Sequence, residues 1–138
     1  MPIAFLQWQD EAPFPKTVLR GTKARGRAYE NKVGKFLAHE AGPLGAIIHD
    51  HQWLEFGGMW IQPDFVLEFS GGGAILLEAK LTYTRDAFSQ LSRYAEVLEP
   101  YYSSLIPALV CRNLTYETPE PIRRFCDLTP WGTWHLFL

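Results

Sequence analysis

Residues 63–80 read PDFVLEFSGGGAILLEAK, two apolar runs joined by a serine and three glycines. In residues 61–69 the odd positions are Ile61, Pro63, Phe65, Leu67 and Phe69, all apolar, whereas the even positions are Gln62, Asp64, Val66 and Glu68. Successive side chains of a strand point to opposite faces, so Asp64 faces away from the main apolar row. Residues 74–81 repeat the pattern: Ile75, Leu77, Ala79 and Leu81 form one row, and Leu76, Glu78 and Lys80 share the other. The glycine-rich link 70–73 supplies the positive φ angles of a tight antiparallel connection, which sets the two polar rows on adjacent strands. The expectation is a hairpin with one buried face and one wet face, the wet one carrying Asp64, Glu78 and Lys80. The link is no phosphate-binding loop, because no Gly-Lys-Ser/Thr follows and it leads into a strand.

Working outward, residues 1–22 hold Pro2, Pro13, Pro15 and Gly21 without a sustained period and read as an irregular N-terminal arm. From about residue 24 to 40, Tyr29, Val33, Phe36 and Leu37 repeat at helical spacing, and Gly42-Pro43 ends the run. Strand character follows at 46–56, 61–69 and 74–81, then a helix over 85–98 whose apolar face is Phe88, Leu91, Ala95 and Leu98. Residues 104–112 and 131–138 read as further strands, the first weakened by Pro107. The predicted order is αβββαββ, a mixed central β-sheet flanked by helices in one domain, residues 23–138.

A chain of 138 residues that is 47% hydrophobic and 20% charged suits one globular domain. No apolar run approaches the roughly 20 residues that span a bilayer, so the reading is a soluble, intracellular, cytoplasmic protein with no membrane partner. Cys111 and Cys126 form no CxxC and stand near no histidine at zinc-ligand spacing, which makes them packing or loop residues. The net charge is -2, but residues 16–35 hold seven of the 13 basic residues, Lys16, Arg20, Lys23, Arg25, Arg27, Lys32 and Lys35, against one acid, Glu30. Such a run offers a cationic surface to a phosphate backbone.

Glu30 lies three and seven residues before Val33 and Leu37, along the packed side of its helix. Burying an ionised carboxylate costs several kcal/mol unless a cation or donors compensate; a salt bridge to Lys80 or an arginine would do so, and a divalent ion shared with Asp64 and Glu78 would do it better. Gln90 and Tyr94, four apart, are neighbours on the second helix and lean over the same polar face. His49-Asp50-His51 sets two imidazoles on one strand face, but no third ligand follows at a telling spacing, so the pair reads as a wet or partly buried strand pair. Neither a Ser/His/Asp nor a Cys/His nucleophile pattern is recognisable.

The ordered set GRAYE (26–30), PD (63–64), EAK (78–80) and QLSRY (90–94) resembles the PD-(D/E)XK nuclease superfamily over roughly residues 24–112. The resemblance implies a restriction-endonuclease-like core and a deoxyribonuclease that uses Mg²⁺ or Mn²⁺. It implies Asp64, Glu78 and Glu30 as metal ligands, Lys80 as the catalytic lysine, and Gln90 as a helper. It makes DNA the partner, held by Lys16, Arg20, Lys23, Arg25, Arg27, Lys32 and Tyr94. Two branches compete. The Gly-x-x-x-Glu start and small size resemble Holliday junction resolvases, which are homodimers acting in recombination and repair. The Gln-x-x-x-Tyr resembles the RecB and lambda-exonuclease group. The reading favours an endonuclease on branched or structured DNA, with a DNA exonuclease as the alternative and a non-catalytic DNA-binding or assembly subunit as the second.

Overall fold

The 63–80 stretch forms the middle of a six-stranded sheet in a computed structural model of the protein, which describes residues 6–11, 22–113, 127–129 and 132–136. The elements are α1 (Thr22–Ala41), β1 (Ile47–Asp50), β2 (Leu54–Phe56), β3 (Met59–Ile61), β4 (Phe65–Glu68), β5 (Gly73–Thr82), α2 (Arg85–Leu98), β6 (Ser104–Asn113), β7 (Asp127–Thr129) and β8 (Gly132–Leu136). A single 3-10 turn follows each helix. The sheet order is β1-β4-β5-β6-β8-β7, and β2 and β3 form a separate two-stranded ribbon. β5 and β6 are parallel and every other pairing is antiparallel. A parallel neighbour needs a crossover, and α2 provides it.

The fold is thus mixed α/β with a mixed sheet and two helices. More strands form than the seven-element order anticipates. The run 46–56 divides into β1 and β2 because His51 takes φ 53, a left-handed conformation that ends a strand. The run 61–69 divides at Pro63, and residues 54–61 fold on themselves through Gly57 and Gly58, both at positive φ. β7 falls in a segment read as loop.

One helix covers each face of the sheet. α1 lays Tyr29, Val33, Leu37 and Ala41 against Phe65, Leu67, Leu77, Ala79 and Val110. On the opposite side α2 lays Ala87, Leu91 and Leu98 against Val66, Leu76 and Leu109. Thr84 starts α2 by accepting a hydrogen bond from the Ala87 N–H at 3.1 Å, and Asp86 complements the positive end of the helix dipole. The expected wet face of the hairpin is therefore corrected: Val66 and Leu76 are fully buried, and Glu78 is buried with them. The physical reason is the βαβ crossover, which brings α2 back across that face. Val66 and Leu76 interrupt the polar row and were its signature in the sequence. No helix among the described residues is long and apolar enough to cross a membrane.

α1 lies close against the sheet at Gly34, where an added Cβ would stand 3.1 Å from Phe65 Cε1 and 3.2 Å from Asp50 Oδ2. This contact lies one turn beyond Glu30 and holds it near the ends of β1 and β4. Gly34→Val should lower unfolding free energy by about 1–3 kcal/mol, since fully buried Phe65 has no room to yield. Denaturant titration checks this, and unchanged stability would contradict the close docking.

Candidate metal centre

The β4–β5 ladder ends where Phe65 pairs with Leu77; Phe65 stands two residues after Pro63, a residue with no N–H to donate. Where the two strands part, side chains take over the backbone groups. Asp64 Oδ2 accepts the Ala79 N–H at 2.8 Å, and Glu78 Oε1 accepts the Asp64 N–H at 3.3 Å. The Pro-Asp and Glu-Ala-Lys sequences thus cross-brace one another. Asp64 and Glu78 are the two buried charged residues among those described.

Two carboxylates so close and so dry cannot both ionise at ordinary cost. Burial, reinforced by the charge of Asp64, holds the Glu78 carboxyl well above the usual range. Burial also works to raise Asp64, but hydrogen bonds from His51, from Glu78 and from the Ala79 N–H outweigh it and hold Asp64 low. The second oxygen of Glu78, Oε2, is buried with no hydrogen-bond partner among the described residues. A buried, unpartnered carboxylate oxygen is a place for a cation or a proton.

The third and fourth groups arrive from α1 and from the end of β1. The His51 N–H donates to the Asp64 carbonyl at 2.9 Å, continuing the β1–β4 pairing by one residue. His51 Nε2 stands 3.1 Å from Glu30 Oε2 and 3.4 Å from Asp64 Oδ1, and its Nδ1 faces Asp50 Oδ1. Ligand atoms of Glu30, His51 and Asp64 all lie within 4.8 Å of one another. Neighbouring ligands around a small divalent ion at bond lengths of about 2.1 Å are roughly 3 Å apart, so this donor set fits such an ion. Desolvation pulls the His51 pKa down, but hydrogen bonds to Asp50, Asp64 and Glu30 reverse it and push it up to about 11.

Glu30 is held by Arg27 at 3.2 Å as well as by His51, and its side chain is 16% exposed. Lys80 is half-buried on the Glu78 face of β5, close enough for its charge to bear on Glu78. Tyr94 leans toward the same place: burial raises its pKa, the charges of Glu78 and Asp64 add to that, and the Gln62 backbone offers a hydrogen bond. Gln90 is half-buried one turn earlier on α2. Of the basic run, Arg25, Lys32 and Lys35 are exposed and Arg27 is tied to Glu30. Lys16 and Arg20 lie outside the described residues, as does Cys126, and the side chain of Lys23 is likewise not described.

Sequence spacing missed His51. Its partners are 21 and 13 residues away: the rest of α1 and β1 separate it from Glu30, and the β2–β3 ribbon separates it from Asp64. The expected His49–His51 pair does not form a unit. His49 instead joins Glu68 at 2.7 Å and Gln52 at 2.6 Å, stacked on Trp8 with ring centroids 4.0 Å apart. Gln52 passes the network on to Asp10, and Tyr102 donates to Glu68 at 2.6 Å.

Compared with protein-family models, with curated proteins and with solved structures, the chain gives no match.

The buried carboxyl pair gives the metal-free protein a definite pH response. Glu78 binds its proton more tightly folded than unfolded, so its contribution is complete below the unfolded value of 4.5 and is lost as pH rises toward the folded one. His51, also raised, contributes fully below 6.5 and loses its contribution as pH climbs toward about 11. Asp64 acts oppositely, and its contribution is lost only as pH falls below 3.8. In EDTA, thermal stability should decline above pH 4.5, and Glu78→Gln should flatten the decline between 4.5 and 6.5, where Glu78 acts without His51. Parallel slopes for the two proteins would show that Glu78 is not held protonated.

Proposed function

We propose that the protein is a Mg²⁺- or Mn²⁺-dependent deoxyribonuclease of the PD-(D/E)XK type, an endonuclease on branched or structured DNA. The observation that carries the reading is Asp64, which shares one group of ligand atoms with Glu30 and His51 and is cross-braced to Glu78 where β4 and β5 part, with the charge of Lys80 bearing on Glu78. A helix, an antiparallel hairpin, a crossover helix and a parallel strand in that order support a restriction-endonuclease-like core.

Asp64, Glu30 and Glu78 would hold the ion. Bound there, a divalent ion lowers the pKa of a water and offsets the charge that develops on a phosphoryl oxygen. The protein's own groups set the geometry. Glu78 Oε2, with no hydrogen-bond partner among the described residues, is the oxygen left for the ion, and Glu78 gives up its proton when the ion binds. Lys80 follows two residues on along the same face and donates to the attacking water or to a non-bridging phosphate oxygen, where negative charge grows. Tyr94, whose hydroxyl keeps its proton because burial and the neighbouring carboxylates raise its pKa, is a further donor to phosphate. Arg25, Lys32 and Lys35, exposed along α1, face the DNA backbone.

Tyr94's approach to Glu78 and Asp64 also favours the second reading, a DNA exonuclease of the RecB and lambda-exonuclease type, where a Gln-x-x-x-Tyr helix attends the site. Product mapping separates the two: paired internal nicks in a four-way junction belong to the endonuclease, and progressive shortening of a linear duplex to the exonuclease.

Labelled duplex, single strands and a four-way junction should be cut with Mg²⁺ or Mn²⁺ and left intact in EDTA. Lys80→Ala should slow cleavage at least about a hundredfold while leaving DNA binding in place. Absence of metal-dependent cleavage on every substrate would leave only a DNA-binding subunit; an undiminished Lys80→Ala would remove Lys80 from the mechanism. DNA affinity should also fall steeply as salt rises, since phosphate contacts release counterions. A flat response in a binding titration would take the basic run out of the interface.

A further inference from the structure

We propose that His51 ligates the ion directly through Nε2 and that this nitrogen makes the site select Mn²⁺ over Mg²⁺. The inference rests on the metal-site reading above and deepens it: three carboxylates alone describe an all-oxygen site, the kind that suits Mg²⁺.

Three features build His51 as a ligand. Its Nε2 lies 3.1 Å from Glu30 Oε2 and 3.4 Å from Asp64 Oδ1, inside the same ring of donors. Its other nitrogen, Nδ1, faces the Asp50 carboxylate, the arrangement in which a metal-binding histidine has its ring orientation fixed by an outer carboxylate while the far nitrogen points at the ion. The residue is also clamped on all sides. Its N–H goes to the Asp64 carbonyl at 2.9 Å, its carbonyl accepts from Gln62 Nε2 at 2.9 Å, and Phe65 meets the ring edge-on at 5.2 Å.

The backbone holds this pose in a left-handed conformation, φ 53, the one positive φ at a non-glycine among the described residues. His49, two residues earlier, reaches none of these carboxylates and pairs with Glu68 and Gln52, so chain proximity alone does not explain the placement.

A nitrogen donor changes which ion is held best. Imidazole adds little for Mg²⁺, a hard ion that retains its waters, and more for first-row divalent ions from Mn²⁺ onward. A site of one imidazole and two or three carboxylates therefore favours Mn²⁺ at equal concentration.

The test uses the full chain and the metals alone. Free Mn²⁺ is followed by its electron paramagnetic resonance signal as protein is added, with Mg²⁺ as competitor. Electron-spin-echo modulation then looks for nitrogen coupled directly to bound Mn²⁺. The variant is His51→Asn, because asparagine is among the residues best suited to positive φ. Wild type should bind Mn²⁺ at least about tenfold more tightly than Mg²⁺ and show directly bound nitrogen. His51→Asn should lose the nitrogen coupling and about tenfold or more of its Mn²⁺ affinity, with Mg²⁺ affinity changed far less.

Lack of nitrogen coupling in wild type would overturn the proposal whatever the variant does, leaving His51 as a protonated counter-ion to Glu30 and Asp64. An unchanged Mn²⁺ to Mg²⁺ ratio in a folded His51→Asn protein would overturn it too. Neither result depends on DNA cleavage, so the nuclease reading and the ion preference can fail separately.

Discussion

Two carboxyl groups, Asp64 and Glu78, are buried against each other where an antiparallel ladder ends, and the rest of the structure is organised around that arrangement. Hydrophobic packing gives the protein its stability, with each fully buried leucine or phenylalanine contributing about 1.5–3 kcal/mol. A carboxylate in the same interior works against it by several kcal/mol unless a partner compensates. Here the partners are explicit. Beyond the last rung of the β4–β5 ladder Asp64 takes the Ala79 N–H, and Glu78 takes the Asp64 N–H in return. One oxygen of Glu78 has no partner among the described residues, and that remainder separates this hairpin from one held by packing alone.

The two helices serve that centre as much as they serve the core. α1 carries Tyr29, Val33 and Leu37 into one face, and the same rotation brings Glu30 to the end of β1. Gly34 allows the close approach one turn later. α2 closes the other face with Leu91 and Leu98 and in doing so shields Glu78 from water and turns Tyr94 toward it. Covering both faces makes the site dry, and dryness is what gives each charge in it a large effect. The second polar network, Asp10–Gln52–His49–Glu68–Tyr102, sits at the other end of β4 and ties residues 6–11 to the sheet.

Much of this was legible in the residues themselves. Strand parity put Asp64, Glu78 and Lys80 on one side, the period of Tyr29, Val33 and Leu37 put Glu30 near the packed side, and α2 runs over the residues its apolar period indicated. The burial of the polar row was less plain. Val66 and Leu76 signalled it, but a polar row with two apolar members also describes a solvated strand, and only the return of α2 decides between them. His51 stood out as one of two imidazoles on a strand, but nothing in the residue pattern assigned it Glu30 and Asp64 as partners. Its place depends on a backbone turn at φ 53 and on a ribbon that consumes the residues between it and Asp64, and neither follows from local composition.

Carboxylates buried to hold a divalent cation take one from solution, and diffraction from crystals soaked in Mn²⁺ reads this directly. An anomalous peak is expected about 2.1–2.3 Å from a carboxylate oxygen of Asp64, with oxygens of Glu30 or Glu78 and Nε2 of His51 completing the shell. Fully soaked crystals with no peak among these residues, and Glu78 still closed against Asp64, would contradict it.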